Sequence, residues 1–479
     1  MSNNKLSRRN FLRMTSIGAG GALLAGCAKA PEIAPPDESK PVETPKPAEA
    51  VKLQIMWRTN PDEEKMLTSL IPIFKEKTGV DMESNVVPWD EYETKLMTMY
   101  ASGIAPDIYG TGGTNPYIER WVRGMVLELD NFLLTEPASF TTDLFPIALN
   151  AYKKEGKTVA MTFAVLAAGT WVNATRFDES GVEYPPFDWS DEKAWTIDDM
   201  RATAKKLTLD SDGDGKIDRF GVVWGHGGPW YNTRLWGKDL VSKEDYDSGV
   251  LHKITALDDP AVKEALINST QARADFVLVD KVSPSPETSQ SLSQMGPMLK
   301  TGAIAMEFAG GWAVWGEMPA DFKFRAAINP KGGVNGSGTR TKNTWAEPLE
   351  ICSKTKYANE AWKFVRFMVA DSEAIGVQLI HRNMIPAAKS SFDRFVAAQA
   401  NRLAMSAEEQ KKFYMGAIEQ ADTTVPDHIL VGWAKVRDVF NSQLEPVWLG
   451  EKTAAEAVDE MLPLAQAAID ANLKELNLE

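Results

Sequence analysis

At 479 residues the chain is too long for one small core, and ordinary domain sizes predict at least two units. Hydrophobic residues at 44% and charged residues at 25% describe a soluble composition with enough apolar side chains for substantial cores, which excludes global disorder. A formal charge of -14 without any Lys/Arg run excludes a nucleic-acid partner, because phosphate binding needs a basic face.

The amino terminus reads as an address. Residues 1–26 carry Lys5, Arg8, Arg9 and Arg13 and no acid, and Ser7-Arg8-Arg9-Asn10-Phe11-Leu12-Arg13 matches the twin-arginine export pattern. The weakly apolar run over 14–24 is too short to span a bilayer. Leu24-Ala25-Gly26-Cys27 resembles the bacterial lipobox, so a signal peptide over 1–26 and a lipidated Cys27 as membrane anchor are expected. Behind Cys27, the stretch to residue 50 contains Pro35, Pro36, Pro41, Pro45 and Pro47 and no aromatic residue. Proline favours extended geometry, so this segment reads as a tether reaching some tens of Å from the membrane, at roughly 3 Å per residue. The expected location is extracytoplasmic. With Cys27 acylated, Cys352 has no disulfide partner, and its place in Leu349-Glu350-Ile351-Cys352 reads as a buried small apolar residue.

The body opens with an alternating strand over 51–57 and the loop Arg58-Thr59-Asn60-Pro61. Residues 62–78 place Met66, Leu67, Leu70, Ile71 and Phe74 at helical spacing, with a kink expected at Pro72 and a stop at Gly79. A strand over 81–87, a helix over 90–102 and a short strand over 107–109 follow. This alternation argues an α/β sheet with parallel strands, where ligand loops gather at the strand carboxyl ends. Thr196 reads as an N-cap with Asp198 and Asp199 in the first turn, and the last 120 residues read as largely helical, including 359–370 and 454–473.

Several stretches in order resemble the solute-binding proteins of bacterial ABC importers, in the sugar-binding group that includes maltose-binding protein. Ser102-Gly103-Ile104-Ala105-Pro106-Asp107-Ile108 is similar to that group's Gly-x-x-Pro-Asp turn. Thr162-Phe163-Ala164-Val165 through Trp171-Val172-Asn173 resembles its first crossover, with Val172 where the pattern has Tyr. Trp195-Thr196 with Leu207-Thr208, Gly302-Ala303-Ile304-Ala305-Met306 through Gly310-Gly311-Trp312, Ala361-Trp362-Lys363-Phe364 and Ile385-Pro386-Ala387 complete the order. The resemblance implies a two-lobed periplasmic-binding-protein-like fold: two α/β lobes, hinge crossovers and a ligand cleft that closes between them. Mapped onto this chain, lobe one takes 51–165 plus 328–381, and lobe two takes 166–327 plus 382–479. It also implies a monomer that hands a small solute to the permease subunits of a membrane importer.

Fifteen Trp is about twice the usual share. A pyranose offers C–H groups on one face and hydroxyls around its rim, so a flat aromatic face with in-plane polar groups is complementary to it. Trp312 is the leading candidate because the resemblance places an aromatic there, followed by Trp57 and Trp433, with Trp89 and Trp230 in loop contexts and Trp362 assigned to packing. Arg58, Asn60, Asp90, Asp107, Glu307 and Glu347 are candidate polar contacts near strand ends; solvated surface or loop capping competes with that reading at each.

Asp210-Ser211-Asp212-Gly213-Asp214-Gly215-Lys216-Ile217-Asp218 supplies oxygens at positions 1, 3, 5 and 9, a carbonyl at 7 (Lys216) and glycine at 6, as in an EF-hand calcium loop. Gly221 stands at position 12 in place of the bidentate Glu. A structural Ca2+ at Asp210, Asp212, Asp214, Lys216 and Asp218 is expected; a loop ordered by its own Asx turns is the competing reading. The four His, at 226, 252, 381 and 428, form no zinc pattern, and neither a nucleophile elbow nor a P-loop is present. No catalytic residue is assigned. Two readings stay open beside sugar capture: a secreted carbohydrate-active enzyme, which would need two carboxylates about 5 to 9.5 Å apart, and the same fold holding a non-sugar solute.

Overall fold

The computed structural model describes residues 51–112, 116–191, 195–224, 228–314, 319–382, 384–421 and 423–478. The signal peptide expected over 1–26, the anchor Cys27, the tether to residue 50, and His226 lie outside the described residues.

Strand β1 (Lys52–Arg58) takes in Arg58, which the sequence placed in the following loop. Asn60 then caps helix α1 (Pro61–Thr78), its side chain accepting from the N–H groups of Asp62 and Glu63 at 3.0 and 3.3 Å. Pro61 suits the first turn, where its missing N–H costs nothing. Helix α1 is continuous across Pro72 and ends at Gly79, whose φ of 73° is left-handed and free of Cβ strain. Strand β2 (Asp81–Val87), helix α2 (Trp89–Ala101) and strand β3 (Ile108–Tyr109) follow.

Next come the long strand β4 (Met161–Asn173), α3 (Ile197–Leu207), β5 (Phe220–Val223), α4 (Pro229–Leu235), α5 (Pro260–Leu278), β6 (Ile304–Gly310), β7 (Phe324–Ala327) and β8 (Asn343–Ile351). Thr196 caps α3 in a reciprocal box: its hydroxyl accepts from the Asp199 N–H at 3.1 Å, and the Asp199 carboxylate accepts from the Thr196 N–H at 2.9 Å. The remainder is largely helical, with α6 (Ala358–Ala370), α7 (Ser372–His381), β9 (Ile385–Pro386), β10 (Thr423–Thr424), α8 (Pro426–Ile429), α9 (Trp433–Trp448) and α10 (Ala454–Leu476).

Among the described residues ten strands form one sheet in the order β2-β1-β3-β8-β4-β6-β5, with β10 beside β8, and β7 and β9 beside β4. β1 pairs in parallel with β2 and β3, and β8 runs antiparallel between β3 and β4. All 13 residues of β4 are buried, as its near-continuous run of small and apolar side chains requires. β4 pairs with β8 as far as Ala167↔Thr344, then with β6 from Ala168↔Gly310. One strand thus serves both halves of a mixed α/β, two-lobed fold. The first half is closed by packing of α1 and α6, where Phe74 meets Phe364 edge-on at 5.2 Å. Trp362 lies flat on Phe132 at 5.3 Å, a packing role, and the Cys352 thiol is buried.

Candidate functional site

A cavity of about 920 Å³ opens at the carboxyl end of β1. Arg58 ends that strand, Trp89 begins α2, and Trp345 and Glu347 reach the cavity from β8 because residues two apart in a strand share a face. Trp230 and Tyr231 come from α4, Trp312 from the turn after β6, His428 from α8, and a whole face of α9 forms the remaining wall.

The polar floor is an ion-pair chain. Arg58 forks onto Glu63 through Nε at 2.8 Å and Nη2 at 2.7 Å, and Nη2 also reaches Glu347 at 3.0 Å. Its guanidinium stands 5.5 Å from the ring centroid of Trp89. Glu63 is fully buried and meets the buried Arg382 as well. Two guanidinium and two carboxylate groups therefore neutralise one another, which offsets the cost of burying each.

The aromatic wall is built on Trp345. Trp312 meets it edge-on, with ring centroids 4.6 Å apart at 80°, and Tyr231 lies nearly parallel to it at 6.3 Å and 16°. Gly310 makes this possible: a Cβ there would fall 2.0 Å from the Trp312 ring. His428 is buried beneath the same wall, with Nδ1 3.0 Å from both the Tyr152 hydroxyl and the Ala346 carbonyl. Burial pushes its pKa down to about 3, so the imidazole is neutral. Along α9 the cavity is lined by Trp433, Arg437, Asn441, Glu445 and Trp448, and Arg437 is tied to Asp427 at 2.6 Å.

Of the candidates read from sequence, the structure brings Trp312, Trp433, Trp89, Trp230, Arg58 and Glu347 together around this cavity. Five others lie elsewhere. Trp57 has 0% exposure and packs on Gly110 and on Phe163, at 5.7 Å, because β1 is covered on both faces. Asn60 is used as the α1 cap. Asp107 accepts from the Gln54 N–H at 2.8 Å and from the Thr355 hydroxyl at 2.5 Å, bracing β1 and the turn after β8. Asp90 is exposed in the first turn of α2, away from the cavity lining. Glu307 is buried on β6, accepts from the Leu299 N–H at 3.2 Å and is pushed up to about 7 by burial. Tyr117, Tyr231, Trp345, Arg273, Arg437 and Trp448 also line the cavity without having been assigned to it. The helical repeat of Trp433, Arg437, Asn441 and Glu445 was the legible signal for the α9 wall.

In the aspartate loop, one carboxylate oxygen each of Asp210, Asp212 and Asp214 lies within 4.8 Å of the others. The loop also orders itself: Asp210 accepts from the N–H groups of Gly213 and Gly215, both at 2.7 Å, and Asp214 from that of Lys216 at 2.8 Å. Asp218 turns to Ser211, accepting from its N–H at 2.8 Å and from its hydroxyl. Gly221 sits where β5 crosses α3, and a Cβ there would lie 2.1 Å from the Ala204 carbonyl, so position 12 has no room for glutamate.

The family model of bacterial extracellular solute-binding proteins matches residues 60–375. A curated relative in Brucella abortus, described as a binding protein, is 23% identical over 419 residues, covering 83% of this chain and 87% of the relative. Among solved structures, an ABC substrate-binding protein from Listeria monocytogenes in complex with cycloalternan superposes with a TM-score of 0.69 at 21% identity, over 90% of this chain and 100% of that one. A maltose/maltodextrin-binding domain from Bdellovibrio bacteriovorus, bound to maltotriose, gives 0.65 at 18% identity, over 88% and 100%. With the family model spanning most of the folded body, the chain belongs to the bacterial extracellular solute-binding proteins.

Proposed function

We propose that this chain captures a neutral carbohydrate in the cavity, by closure of its two lobes, and delivers it unchanged to the permease of an ABC importer. The observation that carries this reading is the set of indole and phenol rings of Trp345, Trp312 and Tyr231 beside the charge-assisted donors of Arg58. Rings supply the apolar platform for a sugar face, and the guanidinium, clamped by Glu63 and Glu347, offers fixed donors to rim hydroxyls. Charge separates this from anion or polyamine capture: Arg58, Arg273 and Arg437 face Glu347, Asp427, Asp438 and Glu445, so neither sign dominates. The cycloalternan and maltotriose bound by the two structural neighbours support the same class. Two of the four cavity carboxylates, Glu347 and Asp427, are each held by an arginine, which weighs against the enzyme reading.

Export by the Arg8-Arg9 signal and anchoring through Cys27 complete the proposal, with the body acting as a monomer at the outer membrane face of the importer. Native mass spectrometry of purified protein incubated with an oligosaccharide library tests the central claim: one intact oligosaccharide retained per chain is expected. Cleaved product in excess of protein would favour the enzyme instead.

A further inference from the structure

Helix α9 lines the cavity along its whole length, and Trp433, Arg437, Asn441, Glu445 and Trp448, three or four residues apart, form one row along that wall. At a rise of 1.5 Å per residue, the two Trp at its ends stand about 22 Å apart along the axis. Trp433 is buried at the inner end, and Trp448 is partly exposed at the outer one. There the guanidinium of Arg273, on α5, lies 4.6 Å from the Trp448 ring centroid. Loss of solvent lowers Arg273 to about 10, a cation held against an indole rather than free in water.

This geometry suits a chain rather than one ring. A pyranose with its glycosidic link is about as long as one helical turn. A monosaccharide seated on Trp345 and Trp312 would therefore leave the outer turns of α9 untouched, although they line the same continuous cavity. We infer that α9 measures a linear oligosaccharide of about four rings, one per turn, and that Arg273, Glu445 and Trp448 form an outer subsite for its far ring. The inference rests on the carbohydrate reading and adds to it a residue set that decides chain length. Glu445 accepts from ring hydroxyls, Trp448 stacks on the ring face, and Arg273 holds the indole in place.

The test is titration calorimetry of linear α-glucans and β-mannans of two to six rings against wild type, Trp448→Ala, Glu445→Gln and Trp312→Ala. Wild-type affinity should climb to four rings and then level. Trp448→Ala should bind the two-ring probe as wild type does and lose about tenfold with four rings, and Glu445→Gln should show the same length dependence more weakly. Trp312→Ala should lose affinity at every length. An unchanged ladder for both outer variants, or an equal loss at all lengths, overturns the outer subsite. Wild type that binds neither ladder overturns the carbohydrate reading on which it rests. Should Trp448→Ala fail to fold, the exposed Glu445→Gln decides the length dependence.

Discussion

Nη2 of Arg58 lies 3.0 Å from the carboxylate of Glu347, 289 residues further along the chain, and this pair joins the end of β1 to the middle of β8 at the floor of the cavity. Arg58 is also forked onto the fully buried Glu63, so its removal takes the arginine from Glu347 and leaves Glu63 paired with Arg382. Arg58→Met should cost about 3 to 5 kcal/mol of stability and weaken ligand binding. Urea unfolding checks the first claim; a variant as stable as wild type would show that the ion-pair chain contributes nothing net.

Trp345 touches both Trp312 and Tyr231, so its truncation removes the centre of the aromatic wall. Trp345→Ala and Trp312→Ala should each weaken binding by about 2 kcal/mol, near a 30-fold rise in Kd. Gly310→Ala should mimic Trp312→Ala in part, because its methyl group would displace the ring. Calorimetry against the retained oligosaccharide reads this directly. Variants that melt lower yet bind with unchanged affinity would assign the wall to packing.

Two buried groups give opposite pH dependences. The folded pKa of His428 is about 3 against 6.5 when exposed, so below pH 6.5 the unfolded chain takes up a proton that the native one refuses. Its contribution is full above pH 6.5 and is lost toward pH 3, by up to about 1.4 kcal/mol per pH unit. Glu307 is raised to about 7 from 4.5, so the native state holds the extra proton; its contribution is present below pH 4.5 and lost as pH rises through 7. His428→Gln should therefore flatten the acid limb of the stability profile, and Glu307→Gln should lift stability at pH 8 relative to pH 5. Denaturant titrations across pH 4 to 8 check both, and a profile that neither variant alters would refute the assignment.

For the aspartate loop a weak structural calcium site is proposed, formed by Asp210, Asp212 and Asp214. A site of millimolar affinity should add about 1 kcal/mol at a few millimolar calcium. Asp212→Ala with Asp214→Ala should remove that gain without changing ligand selectivity. Equal melting of wild type in calcium and in chelator would leave the loop to its own Asx turns.

Local signals were legible wherever one short segment decides the outcome. The helix ends at Thr196 and Gly79, the opening strand–helix alternation, the packing role of Trp362 and the apolar run of β4 all follow from spacing and backbone preference within a few residues. The order of family motifs likewise carried the two-lobed architecture. Which Trp faces a ligand was decided otherwise. Trp57 and Trp312 both lie over a glycine, Gly110 and Gly310, yet the first is sealed between β1 and its neighbours while the second borders the cavity. Exposure depends on what the opposite layer covers, and those layers come from chain segments hundreds of residues apart. The same reason turned Asn60 and Asp107 from ligand contacts into a helix cap and a brace, and brought Glu347 to Arg58. The amino-acid sequence by itself determined the elements, their order and the aromatic supply; the meeting of β1, β8 and α9 selected the side chains that share a cavity, because only long-range packing sets which polar groups lose water together.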